Sequence, residues 1–202
     1  MSILASTKRL LSDNWPVQEV LEPETEPLFD DEHFELVEGQ LVEKSMGFQE
    51  QLVDSKLYAI LAVFLHSHDI GRAVMEGKFA LPNSNNRRIP DLAYISYATW
   101  PKAKPFPKKA YASMAPDLAV EVISPSDGGR DIVDKMLEYF RAGCKAVWVV
   151  WPNAEQIHVY SSPKSVKIYG ITDILEGDPV VPGFRLPLIE LFPPEELSAE
   201  PE

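Results

Sequence analysis

The stretch that decides the fold is PDLAVEVIS, residues 116–124, in which five of the six residues from 118 to 123 are apolar. A short, nearly continuous apolar run indicates a strand that is buried on both faces, as in the centre of a sheet. Glu121 interrupts this run. Because a buried, unpaired carboxylate is energetically costly, Glu121 is predicted either to pair with a cation such as an arginine or to bind a metal.

The residues on either side of this strand predict the rest of an α/β domain. Apolar residues recur at three- and four-residue steps over 49–66 and 129–142, which predicts two helices. Strands are predicted at 72–81, 88–96 and 145–151, and hairpins at 34–43 and 156–170. The expected fold is a central mixed sheet flanked by helices, in the order helix, three strands, helix, strand, with an extra hairpin at each end.

The chain length of 202 residues suits a single folded domain. We predict an acidic, proline-rich arm at 1–30, a domain at 31–192 and an acidic tail at 193–202. The lone cysteine, Cys144, excludes an intramolecular disulfide and a cysteine-based zinc site, so a cytoplasmic location is expected. No apolar run is long enough to cross a membrane, and the first residues lack a secretory signal.

The net charge of −12 argues against a nucleic-acid partner, but the charge is unevenly distributed. Residues 1–71 carry −10 and residues 151–202 carry −6, whereas residues 72–150 carry +4. A polyanion would therefore bind in this middle third, where lysines alternate with aromatic residues. The candidate phosphate contacts are Arg87, Arg88, Lys102, Lys104, Lys108 and Lys109. The alternative is an ordinary solvated loop.

Two further residues complete the candidate chemistry. Asp91 follows Pro90 near the start of the second predicted strand and would join Glu121 at one site. Lys135 falls just beyond the apolar arc of the second predicted helix, so its side chain can reach the cleft beside the sheet. Alternatively, Lys135 pairs with Asp131 four residues earlier on a solvated face.

Several of these segments, taken in order, resemble the PD-(D/E)XK nuclease superfamily. The closest likeness is to its restriction-endonuclease-like branch, long listed as a domain of unknown function and expanded in photosynthetic bacteria. The resemblance spans about residues 30–192, although the usual lysine two residues after the acid is absent, because Ile123 stands there. The matching segments are FELVEGQL at 34–41, Pro90-Asp91, PDLAVEVISPS at 116–126, the set Asp131, Lys135, Tyr139 and Ala142-Gly143, and VWVV at 147–150.

This resemblance implies an endonuclease that hydrolyses the phosphodiester bonds of DNA with Mg²⁺ or Mn²⁺. Asp91, Glu121 and the carbonyl of Val122 would hold the metal. Lys135 would replace the missing strand lysine, where it would orient or deprotonate the attacking water or stabilise the developing negative charge. A further acid is expected from Glu50 or Glu38, between which the sequence does not choose.

Nucleases of this type often act as dimers, so a homodimer is possible, with an interface at 146–151 or 187–194. Two other classes of function stay open. One is a non-catalytic binding module on a nuclease-like fold, because a fold does not by itself guarantee chemistry. The other is a protein-interaction factor whose acidic segment 19–43 pairs with a basic partner.

Overall fold

The computed structural model describes residues 34–44, 46–105, 108–125 and 128–192. The predicted arm at 1–30 and tail at 193–202 lie outside these residues. In chain order, the elements are β1 (Phe34–Val37), β2 (Gln40–Glu43), α1 (Phe48–His68), β3 (Gly71–Met75), β4 (Phe79–Ala80), β5 (Arg87–Arg88), β6 (Leu92–Ser96), β7 (Leu118–Val122), α2 (Gly129–Ala142), β8 (Ala146–Trp151), a 3-10 turn (Pro152–Ala154), β9 (Gln156–Ser162), β10 (Ser165–Tyr169), β11 (Ile174–Glu176), β12 (Arg185–Pro187) and α3 (Leu188–Leu191).

A six-stranded sheet in the order β10-β9-β8-β7-β6-β3 forms the centre of the fold. The β7–β8 pair is parallel and the other neighbouring pairs are antiparallel, so the predicted mixed sheet is confirmed. All five residues of β7 are buried, as the apolar run predicts. Because β8 lies between β7 and β9, the interface predicted at 146–151 is wrong.

The two faces of this sheet are covered by different helices. Side chains such as Val120 and Trp148 pack on the face that holds Leu57 and Leu61 of α1. The alternating residues of the same strands pack on the other face with Met136 and Tyr139 of α2. Period-two alternation along the strands thus divides the core into two layers on either side of the sheet.

The strands predicted at 72–81 and 88–96 are each broken into two pieces. Glu76 has a left-handed backbone, with φ 47°, and Pro90 has no N–H to donate to a ladder. The detached pieces β4 and β5 join the N-terminal hairpin in a second sheet, in the order β2-β1-β5-β4. This break positions the site, because it brings β1 and β5 to the end of the central sheet where Asp91 begins β6.

The C-terminal region folds back on the core in a way that the sequence did not predict. β11 and β12 form a separate antiparallel pair, in which Leu175 and Leu186 are buried. Leu188, Leu191 and Phe192 are buried as well. Leu188, Leu191 and Phe192 of the interface predicted at 187–194 therefore pack in the core, whereas Ile189 is 56% exposed.

We expect Leu61→Ala to lower the free energy of unfolding by roughly 2–5 kcal/mol, because this fully buried side chain packs between α1 and the sheet. Val63→Ala on the same helix should cost less than about 1 kcal/mol, because Val63 is 72% exposed. Urea denaturation followed by circular dichroism measures both. Equal losses in the two variants would contradict this packing.

Candidate functional site

Asp91 and Glu121 lie together at one end of the central sheet. Asp91 immediately precedes β6, and Glu121 is the fourth residue of the neighbouring β7; both are buried, at 2% and 6% exposure. Oδ2 of Asp91 accepts a 2.6 Å hydrogen bond from the Val122 N–H. Burial raises the pKa of Asp91 to about 6, with the Lys44 ammonium opposing this rise and the Glu121 carboxylate reinforcing it. The two predicted carboxylates are thus brought together.

Helix α2 supplies two side chains to Glu121. The Tyr139 hydroxyl donates to Oε1 at 2.6 Å, and the Lys135 Nζ lies 3.4 Å from Oε2. These two residues are four apart and so share one face of the helix. Lys135 is turned towards the sheet, whereas Asp131 is exposed, which favours the cleft over the solvated pairing. Burial lowers the pKa of Lys135, but the carboxylates of Glu121 and Glu35 outweigh it and hold that pKa above its ordinary value.

Glu35 of β1 is a buried acid at this site that the sequence analysis missed. Its Oε2 lies 3.2 Å from the Lys135 Nζ and 3.0 Å from Arg88 Nη1, and its Oε1 accepts the Ile89 N–H. Burial raises the pKa of Glu35, but the charges of Lys135 and Arg88 outweigh it and the net shift is downward. The Lys135 ammonium therefore forms ion pairs with both Glu35 and Glu121.

Arg88, predicted to contact phosphate, is instead buried within this ion-pair network. Its Nη1 pairs with Glu35, and its Nε lies 2.7 Å from Oε2 of Glu138 on α2. Asn86 donates to the other oxygen of Glu138 at 2.8 Å. These contacts join β5 to α2, so Arg88 supports the site and presents no free surface to a nucleic acid.

The two acids proposed to complete the metal site lie elsewhere. Glu38 is exposed in the β1–β2 turn, where its backbone N–H donates to Asn86 at 2.8 Å. Glu50 is buried, but its carboxylate lies against Gly47 at the start of α1; a Cβ at Gly47 would come within 2.2 Å of Oε2. The structure thus places neither of them in contact with Asp91 or Glu121 in the described part of the chain.

Asp54, one turn after Glu50 on α1, is the helix acid that interacts with Asp91. It is buried, and its Oδ1 has no hydrogen-bond partner. Burial raises the pKa of Asp54 to about 7, and the negative charge of Asp91 adds to this rise. A sequence signal existed, because Asp54 precedes Leu57 and Leu61 by three and seven residues, which places it on the buried face of α1.

Lys44, just after β2, is a second lysine at this site. Its Nζ lies 2.5 Å from Oδ1 of Asp91 and also donates to the carbonyl of Ile89. Burial lowers the pKa of Lys44, but the charges of Asp91 and Glu121 outweigh it, so the pKa rises and the side chain stays protonated. The sequence alone gave no signal for this residue, because it ends an otherwise ordinary hairpin.

Two of the other predicted phosphate-binding residues line a groove of about 960 Å³ along the edge strand β3. Lys102 and Lys109 line this groove together with Lys78, Tyr97 and Trp100. Lys102 pairs with Asp69 at 2.6 Å, and the Lys104 ammonium lies 4.0 Å from the Trp100 ring centre. Lys108 and Lys109 are exposed, and Arg87 lies 4.5 Å from the ring centre of Tyr111. This segment is therefore partly folded onto the domain.

Comparison with known proteins identifies the family. The Uma2 family model, described as "Putative restriction endonuclease", matches residues 18–189. The chain belongs to the Uma2 family. A crystal structure of a putative nuclease of DUF820 from Anabaena variabilis shares 20% identity, covers 87% of this chain and 96% of that chain, and superposes with a TM-score of 0.71. No curated protein sequence matches. The predicted family and fold class are confirmed.

Two further observations concern the whole described part of this Uma2-family chain. No group of three or more Asp, Glu, His or Cys side chains there forms a metal site by itself. None of the helices in the described ranges combines the length and apolar character needed to cross a bilayer.

We expect Asp54→Asn to stabilise the protein increasingly as the pH rises. The carboxyl of Asp54 has a pKa of about 7 when folded and 3.8 as the reference value, so its ionisation opposes folding as the pH passes from 4 to 7 and above. The stability of the variant relative to wild type should increase by roughly 4 kcal/mol between pH 4 and pH 8, since one pKa unit corresponds to about 1.4 kcal/mol.

Urea denaturation at several pH values measures this difference. Asp173→Asn, at an exposed position, is the control for the loss of one carboxylate. A constant difference between Asp54→Asn and wild type across this pH range would contradict the burial of a raised-pKa acid at Asp54.

Proposed function

We propose that this Uma2-family chain is a Mg²⁺-dependent endonuclease that hydrolyses phosphodiester bonds in DNA. The main support for this proposal is the pair of buried carboxylates, Asp91 and Glu121, with the Lys135 ammonium 3.4 Å from Glu121. Metal-assisted phosphodiester hydrolysis uses carboxylates to hold the cation and a nearby positive charge to stabilise the negative charge that develops in the reaction. Membership of a family described as "Putative restriction endonuclease" supports the same reaction class.

The residues at the site fit a hard divalent cation such as Mg²⁺ or Mn²⁺. Their donors are carboxylate oxygens, which such cations prefer, and one or two protein carboxylates suffice for Mg²⁺. Asp54 adds an observation in favour, because its buried Oδ1 has no hydrogen-bond partner and its pKa is raised by burial and, to a smaller extent, by the charge of Asp91. The cluster is thus rich in negative charge that a cation would offset. Asp91, Glu121 and the Val122 carbonyl are the residues proposed to hold the metal.

A bound Mg²⁺ would supply charge stabilisation and a lowered pKa of water for attack on phosphorus. The surrounding side chains have separate roles. Lys135 is held protonated by Glu121 and Glu35, so we assign it a role in stabilising negative charge and positioning the attacking water. A lysine with a raised pKa is a poor general base at neutral pH. Tyr139 orients Glu121 through its 2.6 Å hydrogen bond.

The groove along β3 supports a polyanionic substrate. Its lining includes Gly77 and Lys78, which follow Glu76, and the Glu76 N–H donates to the backbone carbonyl of Asp91 at 2.9 Å. The lining also includes Tyr97 and Trp100, which offer stacking surfaces to bases. We propose Lys102 and Lys109 in the groove as phosphate contacts, together with Arg87, Lys104 and Lys108 outside its lining.

We expect Asp91→Asn and Glu121→Gln each to reduce Mg²⁺-dependent cleavage of DNA by roughly a thousandfold or more, because each removes a charged metal ligand. Cleavage is measured on single-stranded, duplex and branched DNA and on RNA, with circular dichroism as the test of folding. Asp134→Asn is the matched control, because it removes an exposed acid that pairs with Arg130 on α2. Undiminished cleavage by Asp91→Asn or Glu121→Gln would exclude these metal ligands.

We expect Lys135→Met to lower the turnover number by about a hundredfold or more while changing Mg²⁺ affinity little, because its ammonium acts on developing charge. Single-turnover cleavage and calorimetric Mg²⁺ binding separate the two effects. If Lys135→Met cleaved at the wild-type rate, the role of this lysine would be structural. Metal binding by the wild type without cleavage of any substrate in the panel would indicate a non-catalytic binding module.

A further inference from the structure

Lys44 contacts the site but has no part in the chemistry described above. It reaches Asp91 from the end of β2, whereas Lys135 reaches Glu121 from α2. Each of the two candidate metal ligands is therefore paired with a lysine from a different element. The pairing with Lys44 is the shorter of the two, at 2.5 Å against 3.4 Å.

The contact occupies the oxygen of Asp91 that a cation would use. Oδ2 of Asp91 already accepts the Val122 N–H at 2.6 Å, so Oδ1 is the oxygen that remains for another partner. Lys44 Nζ lies 2.5 Å from Oδ1. Because two cations repel each other at such distances, an ammonium here opposes the entry of a divalent ion.

Lys44 is also positioned so that its ammonium can move away from Asp91 towards solvent. Its side chain is 12% exposed, whereas that of Asp91 is 2% exposed, so the lysine lies on the solvent side of the pair. The residue is at the end of a strand whose four residues are exposed, and β2 is at the edge of its sheet. A long, flexible lysine side chain at such an edge can move its ammonium into water, and this movement breaks its contacts with Asp91 and the Ile89 carbonyl.

We propose that Lys44 is a built-in counter-ion of the metal site, which leaves Asp91 when a divalent cation binds and thereby lowers the affinity of the site for that cation. This proposal rests on the metal dependence proposed above. Lys44 neutralises the buried Asp91 carboxylate before metal binds, and its displacement makes occupancy depend on the concentration of the metal. The lysine thus sets the affinity of the site and is not assigned a step in hydrolysis.

Calorimetric titration of the full-length chain with MnCl₂ tests the proposal. Lys44→Met should bind Mn²⁺ about tenfold or more tightly than wild type, because a competing charge is removed. Lys44→Arg keeps the charge and should stay within about twofold of wild type. Lys145→Met is the matched control, because Lys145 also lies 2.5 Å from a buried aspartate, Asp117, but at another part of the sheet.

A second experiment uses only the wild-type chain. Its lysines are labelled with an amine-reactive reagent, and mass spectrometry measures the labelling of each lysine. The labelling of Lys44 should increase as MnCl₂ is added, whereas the labelling of Lys145 should not change. This experiment decides the question if Lys44→Met fails to fold.

The outcomes separate this proposal from the proposed function. If wild type binds Mn²⁺ and Lys44→Met binds it equally or less tightly, the counter-ion role is overturned and the metal site stands. Constant or reduced labelling of Lys44 in wild type that binds Mn²⁺ also overturns it. Binding by Lys44→Met but not by wild type supports the counter-ion role and contradicts metal dependence of the natural chain. Absence of binding in every variant overturns both.

Discussion

The hydrogen bond from the Val122 N–H to Asp91 joins the two strands on which the candidate site is built. It places a carboxylate from the start of β6 beside the strand that carries Glu121, at a depth where both acids are nearly out of water. Such acids require cations or donors, and the surrounding elements provide them: Lys44 from the end of β2 for Asp91, and Lys135 and Tyr139 from α2 for Glu121. Arg88 from β5 pairs with the neighbouring acids Glu35 and Glu138. The ion pairs that link β1 and β5 to α2 follow from the same requirement.

This network is not electrically balanced. Three cations, Lys44, Arg88 and Lys135, are shared among the acids Glu35, Asp91, Glu121 and Glu138, and Asp54 adds a further carboxyl with a pKa of about 7. Burial, reinforced by the charge of Asp91, disfavours ionised Asp54, and the excess of carboxyl groups means that an added cation would suit the site. The same residues thus account for the stability of the network and for its proposed metal binding.

The sequence predicted the central strand, both main helices and the two acids, because each is encoded locally by periodicity or by an acid in an apolar run. It failed where the outcome depends on contacts between distant segments. In the sequence, Arg88 cannot be distinguished from an exposed basic residue. Only its ion pairs with Glu35 and Glu138 show that it is buried. Lys44 and Glu35 lie in an ordinary hairpin, and nothing local shows that the hairpin packs against Asp91. Asp54 differs from these residues, because its three-residue spacing from Leu57 is enough to place it on the buried face of α1. The net charge of −12 is too coarse to exclude a nucleic-acid partner, because charge is distributed by segment, and the basic middle third of the chain contains β3, β6, β7 and most of the residues that line the groove.

Diffraction from crystals soaked in MnCl₂, recorded at a wavelength where manganese scatters anomalously, tests the central claim most directly. We expect one strong anomalous peak between the carboxylates of Asp91 and Glu121, with the Lys44 ammonium no longer in contact with Asp91. The absence of a peak there at a saturating Mn²⁺ concentration, or a peak only at other carboxylates, would contradict it.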